Sequence, residues 1–226
     1  MAGAVLAAFV CAGCAERTPL ETEPAAREEV GMQIQEHRSG AWSPGLTDGE
    51  KATLFAIAED TLRWCTGGMR EPFALASYEL TPRLREEMAT FVTLKVGDRL
   101  RGCIGSLAPT ASLAQSIHEN TVHAALRDTR FRPVTAAEVD GIDIHLSILS
   151  PITPVPSLAE FHIGEHGIII EKGMHRAVYL PEVAVEQKWT VEETLSSLSR
   201  KAGMNPDAWR KGARFKVFSS VVLSEE

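Results

Sequence analysis

The segment RLRGCIGSL, residues 99–107, places Cys103 between two glycines in a run that otherwise reads as a β-strand. Glycine inside a strand removes side-chain packing and costs entropy on folding, so it usually marks a bulge or a close backbone approach. Two interpretations of Gly102 and Gly105 follow. Either a ligand or another loop comes close to Cys103, or the glycines relieve a crowded interior in which Cys103 packs as a small apolar residue.

The segments around this motif predict an α+β fold. A first helix over residues 47–66 begins with the capping pair Thr47 and Glu50 and ends at Gly67. Strand-like segments follow in near-neighbour pairs, and helices fall between them without a regular βαβ alternation. We therefore predict a mixed, largely antiparallel sheet with flanking helices. The further predicted helices span residues 112–129 and 190–203, and the predicted strands lie within residues 89–107, 141–151, 167–180 and 214–226.

Composition limits the classes of function. The chain has 226 residues and a net charge of −7, so it lacks the basic surface that nucleic-acid binding requires. Cys11 and Cys14 form one CxxC, whereas Cys65 and Cys103 are two separated thiols, so the four cysteines give neither a disulfide framework nor a recurring zinc spacing. His118 and His123 are five residues apart, which puts them on different faces of a helix and excludes the helical zinc-protease motif. We predict no metal site and no cofactor.

The first residues resemble a bacterial lipoprotein signal. A short apolar run ends in Ala-Gly-Cys at Cys14, and an unpatterned segment rich in Glu and Pro follows. These features predict a signal peptide over residues 1–13, a flexible tether over 14–45 and a folded domain over 46–226. No basic residue precedes the apolar run, and Cys11 stands where the pattern prefers leucine. Two locations therefore stay open: a membrane-anchored lipoprotein, held only through a lipid on Cys14, or a cytoplasmic protein.

The chemistry-bearing residues fall in three segments. In an extended strand Arg101 and Cys103 share a face, and a guanidinium beside a thiol favours the reactive thiolate. His166, before the strand HGIIIE, is the candidate base for such a thiol, or else a loop histidine that caps the strand. Arg130, in RDTRFRP, is a candidate anion-binding residue or a solvated loop residue.

Four segments resemble one known family when they are taken in order and spacing. They are LRGCIGSL, LRDTRFRPVT, HGIIIE and YLPEVAVEQKW, and together they resemble the AMMECR-one domain family over roughly residues 47–222. The resemblance implies a larger and a smaller lobe that meet in a cleft lined by the LRGCIG segment. Relatives are often encoded beside a Memo-like protein and a radical-SAM enzyme, which implies these two as partners in a shared pathway.

Two functions are consistent with these residues. The first is a binding domain that uses the cleft for a small anionic ligand or a protein partner. The second is a cofactor-independent thiol enzyme with Cys103 as nucleophile and His166 as base. No Asp, Asn or Glu is placed by the sequence to orient His166, which favours binding. In either case the predicted ligand-binding residues are Arg101, Gly102, Gly105, Arg130 and Glu171.

Overall fold

The computed structural model describes residues 33–225. The predicted signal peptide and Cys14 lie outside the described residues. In the described range the α-helices are α1 (Asp48–Thr66), α2 (Leu113–Leu126), α3 (Pro181–Glu186) and α4 (Val191–Lys201). The strands are β1 (Ile34–Arg38), β2 (Thr90–Val96), β3 (Arg99–Gly105), β4 (Asp143–Leu149), β5 (Thr153–Val155), β6 (Gly167–Lys172), β7 (His175–Tyr179), β8 (Arg214–Phe218) and β9 (Ser220–Glu225).

Short 3₁₀-helices connect several of these elements, at Leu75–Ser77, Arg83–Arg85, Ala136–Gly141, Leu158–Glu160 and Pro206–Arg210. None of the helices in the described part of the chain is long and apolar enough to cross a bilayer. The prediction of a tether up to residue 45 needs one correction. β1 lies inside that segment and pairs with β9, so the folded domain begins earlier than its composition indicates.

The strands form two antiparallel sheets, which confirms the α+β fold. The first sheet has the order β1-β9-β4-β2-β3 and the second has the order β5-β8-β6-β7. Every pairing between the named strands is antiparallel. The sequence predicted one mixed, largely antiparallel sheet, and the structure has two sheets that are each wholly antiparallel.

Two stretches of chain pass from one sheet to the other. The predicted C-terminal strand is in fact β8 and β9, separated by Ser219 alone, and β4 continues into β5 after residues 150–152. Where the two stretches cross, the Ser150 amide donates to the Ser219 carbonyl at 2.9 Å, and the Ser219 amide donates to the Ser150 hydroxyl at 2.9 Å. The two sheets are thus joined by shared strands as well as by packing.

Three apolar clusters form the core. The largest lies between the first sheet and the helices α1 and α2, and a second lies between the second sheet and α4. A third joins the two sheets and includes Leu149, Ile169 and Phe218. β6 contributes Ile168 and Ile170 to the second cluster and Ile169 to the third, which explains its uninterrupted apolar sequence: both of its faces are buried.

Local signals in the sequence predicted the element ends well. Thr47 and Glu50 form the capping box of α1, and Thr190 and Glu193 form that of α4. Each capping pair satisfies helical amides that have no partner within the helix. The β2–β3 hairpin turns at Gly97-Asp98 as predicted, and the β6–β7 hairpin turns one residue later than predicted, at Gly173-Met174.

A close backbone contact in the large core lies between β3 and α2. A Cβ atom added to Gly102 would be 2.3 Å from the carbonyl oxygen of Ala124 in α2, closer than such atoms can approach. Gly102 is buried and faces the helix. Its missing side chain therefore allows the strand to lie directly against the helix backbone, as the crowded-interior interpretation requires.

Gly102→Ala should destabilise the protein by about 1–3 kcal/mol, because the new methyl group meets main-chain atoms that cannot move aside independently. The matched control is Gly49→Ala in the first turn of α1, where an added Cβ has no neighbour within 4 Å. Alanine favours helix, so the control should be neutral or slightly stabilising. Urea unfolding followed by circular dichroism measures both changes, and equal stability of the two variants would contradict the contact.

Candidate functional site

A cavity of about 710 Å³ lies between the first sheet and α3. It opens on the face of the sheet opposite to α1 and α2. The side chains of this face are mostly polar, in contrast to the apolar face that packs against the helices. A row of cross-strand partners crosses all five strands of the sheet on the cavity side, formed by Gln35, Ser224, His145, Thr93 and Cys103. We call this cavity the cleft.

The helix α3 covers the cleft from the side of the second sheet. Pro181 occupies the first turn of α3, as the sequence predicted, since its ring already has a helical φ and needs no amide partner. Glu182 and Val185 follow and line the cleft with Leu180. Burial raises the pKa of Glu182, so the cleft holds a carboxyl group that accepts a proton more readily than a solvated one.

Cys103 lies at the end of the polar row and lines the cleft, where it is partly buried. The hydroxyl of Thr93 donates a hydrogen bond to its sulfur at 3.2 Å. Burial nevertheless raises the pKa of Cys103. Thr93 and Arg130 act in the opposite direction, with smaller effects. The thiol is therefore accessible to a ligand but is held in its protonated form, which disfavours nucleophilic attack.

An ion pair outside the sheet holds the backbone of Cys103. The buried carboxylate of Asp128 accepts the Cys103 amide at 2.9 Å and the Arg130 guanidinium at 2.7 Å, and Arg130 in turn donates to the Cys103 carbonyl at 3.2 Å. β3 is an edge strand. Asp128 and Arg130 thus take the two backbone groups that a neighbouring strand would otherwise bind, and they protect this edge.

The hydrogen bonds from Arg130 lower the pKa of Asp128 to about 2. Asp128 was not selected from the sequence as a site residue. The only signal for it was its position two residues before Arg130 in RDTRFRP. Arg130 does line the cleft, but part of its guanidinium is committed to Asp128 and to the Cys103 backbone.

Arg101 does not share a face with Cys103, and that prediction was wrong. Leu94 pairs with Gly102 while the next residue, Lys95, pairs with Leu100, so Arg101 is the extra residue of a β-bulge. The bulge turns Arg101 away from the cleft. Its guanidinium donates to the Glu138 carboxylate at 2.9 Å, and to the carbonyls of Arg132 and Pro133, and these bonds fix the loop that follows α2.

The two glycines of the motif contact protein atoms rather than open space. Gly102 faces α2, on the side of the sheet away from the cleft. Gly105 is on the same side as Cys103, but the ring of Phe91 and the carbonyl of Thr90 fill the space where its side chain would begin, each with an atom 2.3 Å from that point. Neither glycine lines the cleft.

His166 and Glu171 are also placed outside the residues that line the cleft. The Nδ1 atom of His166 accepts the amide of His162 at 3.2 Å, which matches the interpretation as a loop histidine that caps the strand. Glu171 forms ion pairs with Lys216 at 3.0 Å and Arg176 at 3.5 Å within the second sheet. Of the seven predicted catalytic and binding residues, the structure brings Cys103 and Arg130 together at the cleft.

The remaining cleft residues were not selected from the sequence. Lys95, His145 and His37 line the cleft from β2, β4 and β1. Burial, and secondarily the charge of Lys95, lowers the pKa of His145. A signal for these residues does exist, because polar residues recur at alternate positions of the two strands and so share one face: Thr93 and Lys95 in β2, and Asp143, His145 and Ser147 in β4. Thr90 is out of phase with them and bonds to α2 on the other face.

The chain is similar to known proteins over most of its length. A sequence profile of the AMMECR1 domain matches residues 55–223. A protein of Methanosarcina acetivorans is 34% identical over 189 residues, which cover 80% of this chain and 94% of that protein. Protein MJ0810 of Methanocaldococcus jannaschii is 39% identical over 149 residues, which cover 62% of this chain and 74% of that protein.

The fold is also similar to a solved structure. The crystal structure of the uncharacterized protein PH0010 from Pyrococcus horikoshii matches with a TM-score of 0.69 and 27% sequence identity. The match covers 76% of this chain and 94% of that chain.

Replacing Asp128 by asparagine should destabilise the protein by about 2 kcal/mol at pH 7, because the folded pKa of about 2 lies below the ordinary value of 3.8. The carboxylate contributes stability at pH values above about 4 and loses it as the pH falls through 2. The difference between wild type and Asp128→Asn should therefore be constant from pH 7 to about pH 5 and shrink towards pH 3.

The control for this comparison is Asp140→Asn, which removes an exposed carboxylate paired with Arg63. Exposed ion pairs contribute little, so this variant should stay within about 0.5 kcal/mol of wild type at every pH. Urea unfolding between pH 3 and pH 7 measures both variants. A difference for Asp128→Asn that does not depend on pH would show that the ionised carboxylate does not hold Cys103.

Proposed function

The chain belongs to the AMMECR1 family, and we propose that it is a binding domain whose cleft takes a small molecule with an anionic group. We propose also that it works in a pathway with a Memo-like protein and a radical-SAM enzyme, as the family resemblance implies. The observation that supports binding is the polar face of the first sheet beneath α3, which gives the cleft several convergent polar groups and a concave shape.

Lys95 is the residue that supports an anionic ligand. Lys95 lines the cleft, and none of the ion pairs within 4 Å among residues 33–225 involves it. Arg130 is nearly neutralised by Asp128, and Arg101 is bound to Glu138 outside the cleft. The charge of Lys95 acts on Glu182, which also lines the cleft, but burial raises the pKa of that carboxyl and so favours its neutral form. A cation in a partly enclosed site that forms no close ion pair attracts a negatively charged group more strongly than one that is already paired.

Two observations favour binding over catalysis. Burial raises the pKa of the Cys103 thiol, whereas a nucleophilic cysteine needs a lowered pKa or an adjacent base. The predicted base, His166, is not among the residues that line the cleft, and its Nδ1 atom is occupied by the His162 amide. The cleft can therefore bind a ligand beside the thiol without activating it.

A thiol-based enzyme is the second candidate, and one observation favours it. Cys103 is the described cysteine that lines the cleft, and although burial raises its pKa overall, Thr93 and Arg130 both act in the lowering direction. In such an enzyme the thiol would have to transfer its proton to a basic group of the ligand or to water before the sulfur could attack. His166 is not proposed as its base.

Attachment to a membrane through a lipid on Cys14 stays a prediction, because Cys14 lies outside the described residues. The cytoplasmic alternative stays open beside it. The proposed binding function does not depend on which of these locations is correct.

The test of binding is purification of the full chain from its native host, followed by mass spectrometry of the small molecules that it retains. We expect an anionic compound on the wild type and at least about tenfold less on Lys95→Gln, because a charge-assisted contact is lost. Lys211→Gln, at an exposed position outside the cleft, should retain the compound. The same samples should contain the Memo-like and radical-SAM proteins. Absence of any retained molecule, or equal retention by Lys95→Gln, would refute the proposal.

The second candidate is tested by the rate at which iodoacetamide alkylates Cys103, measured by site-resolved mass spectrometry from pH 6 to pH 10. We expect the half-maximal rate above pH 8.5, the ordinary value for a thiol. Thr93→Val should move it higher, because the hydroxyl that donates to the sulfur is lost. Cys65, whose pKa burial raises to about 11, serves as the internal control. A midpoint below pH 8 would favour the enzyme.

A further inference from the structure

A five-residue turn just before β6 brings together three side chains of the kinds that bind transition metals. The segment reads HIGEH, and the ligand atoms of His162, Glu165 and His166 all lie within 4.8 Å of one another. The prediction of no metal site was based on the spacing of the cysteines and on that of His118 and His123. Neither pattern includes the segment HIGEH. The cluster is separate from Cys103 and from the residues used in the proposed function.

The backbone holds this turn in a defined shape. The carbonyl oxygen of His162 accepts the amides of both Glu165 and His166, at 3.2 Å and 2.9 Å. Between them Gly164 has a φ of +84°, a left-handed conformation that glycine adopts without strain. Three potential ligands within five residues need almost no loop closure, so the turn brings them together at little entropic cost.

Packing on both sides of the turn fixes its position. Phe161, which precedes the turn, is buried in the core of the second sheet. Gly167, which follows it, lies so close to Phe218 that an added Cβ would be 2.4 Å from the ring. Glu165 itself packs against Gly40, where an added Cβ would be 3.1 Å from its side chain. Ligands on a supported turn are better positioned than ligands on a free loop.

The distances between the side chains are close to those that a bound metal requires. Nδ1 of His162 is 3.3 Å from Oε2 of Glu165, and Nε2 of His166 is 4.0 Å from Oε1 of the same carboxylate. Zinc bonds of 2.0–2.2 Å in tetrahedral geometry place neighbouring ligand atoms about 3.4 Å apart. The two imidazole rings are stacked, with centroids 5.6 Å apart and planes inclined by 24°, so both can turn one edge towards the carboxylate.

We propose that His162, Glu165 and His166 bind a divalent transition-metal ion of the zinc class. Two imidazole nitrogens and one carboxylate oxygen suit zinc, cobalt or nickel better than the oxygen-preferring magnesium or calcium. The carboxylate cancels part of the charge of the ion. Because 61% of the His162 side chain and 46% of the Glu165 side chain are exposed, at least one coordination position stays open to water or to a ligand.

Binding requires one change at His166. The amide of His162 donates to Nδ1 of His166, so in the neutral ring the proton is on Nε2, the nitrogen that faces Glu165. Coordination through Nε2 moves this proton to Nδ1, and the hydrogen bond from the His162 amide is lost. The metal must compete with that bond and, at low pH, with protons on both imidazoles.

The metal would lie at the rim of the cleft, because Gly164, in the middle of the turn, lines the cleft. An open coordination position there would give the rim a second group able to bind an anion or a water molecule. The inference does not rest on the proposed function, since it concerns residues that the cleft does not use for binding.

The test is titration of the full chain with Zn²⁺ by calorimetry and with Co²⁺ by visible absorption. The parent protein carries Cys11→Ser and Cys14→Ser, which removes the CxxC thiols as competing ligands. We expect one equivalent of each metal at pH 7.5, an absorption band from coordinated Co²⁺, and loss of binding at pH 5. His162→Asn and Glu165→Gln should each weaken the affinity for Zn²⁺ at least tenfold.

The matched controls are His175→Asn and Glu160→Gln, which change an exposed residue of the same type outside the cluster. Both should bind Zn²⁺ as the parent does. Circular dichroism confirms that all variants are folded, so that lost binding cannot be attributed to unfolding. If the parent binds no Zn²⁺ at micromolar concentrations, or if His162→Asn and His175→Asn bind it equally, the proposed metal site does not exist.

Discussion

The contact between Gly102 and the carbonyl oxygen of Ala124 determines how the edge of the first sheet is built. Because no side chain separates them, β3 lies directly on the backbone of α2. The end of α2 is then close enough for Asp128, two residues beyond the helix, to accept the amide of Cys103. With one side of β3 pressed against the helix, the side chain of Cys103 points to the opposite side of the sheet, into the cleft.

The cleft itself results from the way in which the two sheets share their chain. β4 continues into β5 and β8 continues into β9, and Ser150 and Ser219 are hydrogen-bonded where these stretches pass from sheet to sheet. The third apolar cluster closes the space between the sheets at this end. Further along, the first sheet presents polar residues instead, and α3 covers them without filling the space.

Charge within the cleft is distributed unevenly among its basic residues. Arg130 forms an ion pair with Asp128 and donates to the backbone carbonyl of Cys103. Lys95 forms no ion pair within 4 Å in the described part of the chain. Cys103 is buried enough for its pKa to rise. The site thus combines a lysine that forms no close ion pair with a thiol that burial keeps protonated.

The sequence alone determined those features that depend on neighbours along the chain. The α+β class, the capping boxes at Thr47 and Thr190, the turn at Gly97 and the start of α3 at Pro181 all follow from local backbone preferences and periodicity. The resemblance of four sequence segments to the AMMECR-one family identified the family of the chain correctly. Each of these features depends on interactions between residues a few positions apart, so the packing of the rest of the chain does not change it.

Only the tertiary structure decided which residues form the site. A single bulged residue moved Arg101 from the cleft to Glu138, since a one-residue shift of register reverses the face of a strand. The separation of β8 from β9, the use of Asp128 and the position of Lys95 depend in the same way on contacts between distant segments. No local pattern encodes such contacts, because their energy exists only after the sheets and helices have packed.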